Sequence, residues 1–260
     1  MNRRVSKRAM LGAGLALGLV GVACAQGPYG RRKVRAGGKD WDVDAPSSPH
    51  ALQAGPAWQR FEVRPGDTAP VDRGKPARNR AELSSPVRHP PGQPVWFAYS
   101  FRIRGGAPTT AVFSILGQFH SSPDLGDAPG LSPVFAVNLV REGVLRFVSR
   151  SSAEPRQQFN PPATVLGEVR GIGREQWRHL VGRIVFSHDG RGSVEIWLDG
   201  RKVIDRSPIS IGYNDRRGPY WKYGIYRSAA PETLVVEYAN MEIGADSLAG
   251  RIGRPLPTPA

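Results

Sequence analysis

The chain has 260 residues, is 40% hydrophobic and rich in Gly and Pro, and carries 36 Lys and Arg against 22 Asp and Glu, a formal charge of +14. That length and apolar content suffice for one sizeable core, and the basic excess suits a polyanionic partner. A single cysteine excludes a disulfide framework, and no apolar run is long enough to span a bilayer as a helix.

Residues 1–25 read as an export signal. Arg3, Arg4, Lys7 and Arg8 precede an apolar run over 10–22, and Ala23-Cys24-Ala25 forms an AxA cleavage site. The expected destination is the periplasm or the exterior, which argues against nucleic acid as the polyanion. Acylation of Cys24 as a lipoprotein ranks second, because Gly21 stands where Leu or Val is usual. Without these residues the charge is +10, four basic residues fewer, and no cysteine remains.

Residues 26–56 mix Gly, Pro, Arg and Ser with little periodicity, which predicts a loosely held entry segment ahead of one domain over 57–260. Trp58–Val63 (WQRFEV) alternates and runs into Pro65-Gly66-Asp67, so it is expected to be the first strand. Residues 95–103 (VWFAYSFRI) place Val95, Phe97, Tyr99, Phe101 and Ile103 on one side. In 112–120 (VFSILGQFH), strict alternation sets Phe113, Ile115 and Phe119 against Ser114, Leu116, Gln118 and His120. A hairpin is expected through Arg141-Glu142-Gly143, and turns at 189–192 and at Asp199-Gly200. Tyr220–Ser228 (YWKYGIYRS) presents Tyr220, Lys222, Gly224 and Tyr226 on one face and Trp221, Tyr223 and Ile225 on the other. Gly224 predicts a point where another molecule approaches the sheet closely. Many short strands with no sustained helical period mean an all-β sandwich or jelly roll.

The combination of Arg80-Ala81-Glu82-Leu83, Gly117-Gln118-Phe119-His120 and the run Tyr220 to Tyr226 resembles the three ordered signature segments of β-jelly-roll polysaccharide lyases, the family 7 alginate lyases and the related glucuronan and heparin lyases. Those alginate lyases carry RxELR-like, QIH or QVH, and YFKxGxY segments. Here Ser84 replaces the final Arg, Phe119 replaces the aliphatic residue, and Arg227-Ser228 follows the last Tyr, departures that lean toward the glucuronan-type relatives. The resemblance implies a concanavalin-like two-sheet jelly roll with a concave substrate groove, and β-elimination in a uronic-acid polymer. It assigns Arg80 and Gln118 to neutralising the sugar carboxylate and His120 and Tyr226 to proton transfer. Lys222, Glu82, Asn138 and Tyr220 are expected around the substrate, Lys222 lending its charge to the tyrosine and Glu82 holding a cation. In a syn elimination His120 is expected to help neutralise the carboxylate.

No cofactor is expected, and the five histidines lack metal-ligand spacing. An oxygen-ligated structural calcium ion leaves little sequence trace and stays open. The expected partner is an anionic polysaccharide met by a monomer. A non-catalytic carbohydrate-binding module of the same fold is the alternative. A glycosidase reading of Glu195 and Asp199 is weak, because Asp199 falls in a turn. Loops over 121–133 and 152–174 are expected to govern substrate choice.

Overall fold

The computed structural model describes residues 25–26, 32–55, 57–74, 77–140 and 143–259. The stretch predicted to be an export signal, Cys24 included, lies outside the described residues apart from Ala25, and so do Arg141 and Glu142 of the expected hairpin turn. The strands in chain order are β1 (Ala25–Gln26), β2 (Arg32–Ala36), β3 (Lys39–Asp44), β4 (Leu52–Ala54), β5 (Trp58–Val63) and β6 (Arg78–Ser84). Then come β7 (Pro94–Ile103), β8 (Ser114–His120), β9 (Phe135–Val140), β10 (Val144–Ser149), β11 (Ser151–Ser152) and β12 (Thr164–Val169). The last five are β13 (Arg178–Val185), β14 (Ser187–Leu198), β15 (Arg201–Tyr213), β16 (Tyr220–Ser228) and β17 (Leu234–Gly244). They form one sheet in the order β1-β2-β3-β6-β16-β8-β9-β10-β12 and a second in the order β11-β15-β14-β13-β7-β17-β5-β4. This is the expected all-β jelly-roll sandwich.

Alternation explains how the sheets bury one face each. Trp221, Tyr223 and Ile225 of β16 turn inward to meet Phe61, Phe97 and Tyr238 from the opposite sheet. Phe97 and Phe119 lie 4.9 and 4.8 Å from the Trp221 ring, and Phe61 lies 5.6 Å from Tyr223. The five residues of β7 expected on one side are all in this core. A small separate cluster of Ile115, Ala136 and Val148, with Phe113 and Tyr226 packed on it, gathers apart from that core.

Several expectations fail for identifiable reasons. Residues 32–54 are not loosely held: β2 and β3 form a hairpin whose turn residues Gly37 and Gly38 have φ of 55° and 74°, the left-handed pair such a turn requires. The hairpin buries Val34, Ala36, Trp41 and Val43 and joins β6, so Trp58–Val63 is the fifth strand and not the first. The expected turn at 189–192 is an irregular run within β14, whose register on β15 shifts on both sides of Gly192. The expected loop 152–174 contains β12, held to β10 and anchored by buried Leu166.

Candidate active site

Strands β6, β16, β8 and β9 are neighbours, and their register brings the three separated segments together. Tyr226 pairs with Arg80, Gly224 with Glu82, Lys222 with Gln118, and Tyr220 with His120. Asn138 of β9 sits opposite Ile115. On the solvent face these strands floor a cleft of about 440 Å³ lined by Arg80, Gln118, His120, Asn138 and Tyr226, together with Arg78, Phe113, Ile115, Arg150 and Asn160. Four residues expected to catalyse and one expected to bind thus share one cavity.

Strict alternation along β8 does not hold. The β8–β9 register shifts between Ile115 and Gly117, so Leu116 and Phe119 both reach the core while Ile115, Gln118 and His120 all line the cleft. Gly224 is likewise not an opening toward another molecule. Its φ is 129°, and a Cβ there would run into the Ala81 carbonyl oxygen, the Glu82 backbone and the Phe61 ring. The glycine serves the close packing of β16 on β6.

Beneath the cleft lies a closed set of charges. Arg80 Nε and Nη2 donate to the two oxygens of Asp72 at 2.6 and 3.1 Å, and its Nη1 donates to Glu82. Lys222 Nζ lies 2.9 Å from Asp44 and 3.1 Å from Glu82, and Ser84 donates to Asp44 at 2.8 Å. Gln118 Nε2 donates to the remaining Glu82 oxygen at 2.5 Å. Burial acts against the charge on Arg80 and Lys222, but Glu82, with Asp72 for the one and Asp44 for the other, outweighs it and holds both pKa values up. The Asp44 carboxyl is held low because Lys222 overcomes its desolvation.

This network corrects two expectations. Lys222 is 4% exposed and does not line the cleft; it is consumed by two carboxylates and is neither a substrate contact nor an unpaired cation near the tyrosine. Glu82, 1% exposed, touches no cleft surface and so is no substrate contact; it binds Arg80 and Lys222 at once. Tyr220 lies beside the cleft, its ring 5.5 Å from His120 and under the Arg88 guanidinium at 4.0 Å.

The proton-transfer candidates are set differently. His120 Nδ1 faces the Ser121 carbonyl at 3.1 Å, which accepts and therefore places the ring proton on Nδ1. Desolvation first, then Lys222, push its pKa from 6.5 to about 4, so the ring is neutral at pH 7 with its Nε2 lone pair unprotonated. Tyr226 is clamped between the Arg80 guanidinium, 3.6 Å from its ring centroid, and the edge of Phe113 at 5.3 Å. The carbonyl oxygen of Gln118 is buried without a partner.

Sequence reasoning missed Asp72, Asp44, Arg78, Arg150 and Asn160. Asp72 sits in a short helical turn that folds back on Arg80, and Asp44 in the overlooked β2–β3 hairpin, which the sheet order brings toward Lys222. Among the described residues no group of three or more His, Cys, Asp or Glu is placed to hold a metal ion, and no helix is long and apolar enough to cross a membrane.

Residues 44–242 match the family model described as polysaccharide lyase. Among solved structures, an endo-β-1,4-glucuronan lyase from the fungus Trichoderma reesei is similar at a TM-score of 0.57 and 17% identity, over 78% of this chain and 87% of that one. The family 7 alginate lyase AlgAT5 is similar at 0.52 and 12%, over 76% and 83%. The family 7 alginate lyase AlyA1 from Zobellia galactanivorans is similar at 0.50 and 13%, over 76% and 82%. No curated protein sequence matches the chain. With the family model covering most of the sandwich and every strand that floors the cleft, the chain belongs to the polysaccharide lyases, enzymes of the β-jelly-roll fold.

Proposed function

We propose that this lyase is exported and cleaves a uronic-acid-containing polysaccharide by β-elimination, with polyglucuronate-like chains ahead of alginate and heparin-type chains. The observation that carries the reading is the meeting of Arg80, Gln118, His120 and Tyr226 in one cleft. Cations outnumber acids on its lining, Arg78, Arg80 and Arg150 against Asp72, which suits a polyanion. Both glucuronan and alginate lyases occur among the similar folds, so the substrate order rests on the motif departures at Ser84, Phe119 and Arg227. Export rests on the basic and apolar pattern of residues 1–25.

The C5 proton of a uronate is feebly acidic while its carboxylate is charged, so the site must offset charge that builds up there. Arg80 and the second amide N–H of Gln118 supply that, with Asn138 alongside. As the C5 proton leaves, its electron pair forms the C4–C5 double bond, the C4–O bond breaks, and the leaving oxygen is protonated. No water is consumed. In glucuronate C5–H and C4–O lie on one side, so one group can serve both: Tyr226 takes the C5 proton on its phenol oxygen and delivers a proton to the leaving oxygen. Arg80 over the ring stabilises charge on the phenol oxygen during the transfer.

A second division of labour has its own support. Neutral His120 with a bare Nε2 is equipped as a proton acceptor. On guluronate, where the two bonds are anti, His120 takes the C5 proton and Tyr226 protonates the leaving oxygen.

The test is the ultraviolet absorbance of the unsaturated product on a panel of polyuronates with wild type, His120→Ala and Tyr226→Phe. On polyglucuronate Tyr226→Phe is expected to abolish activity while His120→Ala retains a measurable part. On polyguluronate both are expected to be inactive. Absence of that absorbance with wild type on every polymer of the panel sinks the substrate assignment.

A further inference from the structure

The cleft holds three arginines, and they are committed to different degrees. Arg80 is locked to Asp72 and Glu82. Arg78 covers the Phe113 ring and donates to its neighbour's carbonyl. Arg150 is the least engaged. Its Nη1 donates to the Pro133 carbonyl at 3.2 Å, its Nε is buried with no partner, and among the described residues no carboxylate pairs with it. Arg150 lines the cleft, and a guanidinium with a buried N–H left unmet and no carboxylate partner favours a ligand that supplies an acceptor; its planar fork fits a carboxylate best.

Its position is fixed by the main chain. Arg150 N donates to the Val134 carbonyl, and Val134 N donates to the Phe119 carbonyl, both at 2.9 Å. Arg150 therefore stands level with His120, two strands away across the sheet, about 10 Å by ordinary strand spacing. That offset sets it to one side of the proton-transfer pair, further along the same cleft.

We propose that Arg150 is a specificity-determining residue that reads the carboxylate of a uronate next to the reacting one, so that the enzyme requires consecutive acidic sugars. This rests on the reading of the cleft as a polyuronate site. Arg150 takes no part in proton transfer; it secures the chain.

The experiment measures kcat and KM from the unsaturated product on defined oligouronates, with wild type, Arg150→Ala, Arg150→Lys and Arg254→Ala. The last removes the same charge from an exposed position near the C-terminus. Binding of carboxyl-reduced oligosaccharides is followed in parallel. Arg150→Ala is expected to raise KM roughly tenfold or more with kcat within about twofold, the loss of one charge-assisted contact. Arg150→Lys recovers part of it, because charge returns without the fork. Arg254→Ala behaves as wild type, and the carboxyl-reduced ligands bind wild type and Arg150→Ala equally weakly. The proposal is overturned if kcat falls with KM unmoved, or if Arg150→Ala weakens the neutral ligands as much as the acidic ones. A wild type that yields no product from any oligouronate fails differently: it removes the polyuronate reading and Arg150's role with it.

Discussion

At Tyr226, Gln118 and His120 the chemistry is visible in single residues, and the consequences of changing them are distinct. Tyr226→Phe removes one oxygen from a ring held by Arg80 and Phe113, so we expect unchanged folding and a loss in kcat of roughly 10²-fold or more, measured by product absorbance. His120 is neutral down to about pH 4. Where it serves as base, the acid limb of kcat/KM is expected near pH 4 to 5 and not near the ordinary 6.5; a limb at 6.5 would mean another group governs it. Lys222→Ala is a different case, since it strands Asp44 and Glu82 in the interior without their shared cation. A broken buried pair costs about 3–5 kcal/mol, and urea unfolding should show that loss. The residues named by short motifs were legible because each lies in a contiguous run with known chemistry. Asp44 and Asp72 were not, because nothing around Asp44 announces a partner on β16, and nothing in the short turn of Asp72 announces that it folds back on Arg80.

Strands show which local patterns can be trusted. The alternation of β16 and β7 reads correctly because both are central and face two unlike environments, core on one side and polar surroundings on the other. On β8 the pattern misleads at Leu116-Gly117, where the register on β9 slips. A slip of this kind arises from the fit between neighbours, which one strand's sequence does not contain. The β2–β3 hairpin was in principle readable, since Val34, Ala36, Trp41 and Val43 alternate around Gly37-Gly38. Its few apolar residues were diluted by surrounding Gly, Pro and Arg. Gly224→Ala tests a close strand contact: backbone strain at φ 129° alone costs about 1–3 kcal/mol, and the collision with β6 adds to it. Gly244→Ala, with nothing nearer than 4.0 Å, is expected to stay within about 0.5 kcal/mol of wild type. Equal urea midpoints for the two variants would contradict this account.

For the molecule as a whole, the sandwich was legible from the number of short alternating runs, whereas the order of strands was not, because antiparallel partners many residues apart leave no mark on composition. The fold's response to acid between pH 6.5 and 4 follows from three histidines and one carboxyl. His89 and His120 are both pushed to about 4, chiefly by desolvation, and His179 is lowered for the same reason. Their unfolded forms bind protons from 6.5 downward while the folded forms do not, so the stability they contribute is present above 6.5 and is lost as the pH falls toward 4. Asp215 runs the other way. Burial raises it to about 6, so its contribution is present below 3.8 and is lost as the pH rises through 6. With three groups against one, the urea midpoint is expected to fall between pH 6.5 and pH 4, and His89→Gln should flatten that fall.

Glu82 gathers donors from three different strands onto one carboxylate, Arg80 on its own, Lys222 on β16 and Gln118 on β8. A change at any one of them must be answered by the others simultaneously, which stepwise substitution rarely achieves. Adaptation to new polymers, in nature or by directed evolution, is therefore channelled to the rim around 121–133 and 150–160, while the floor stays as an inherited fixture.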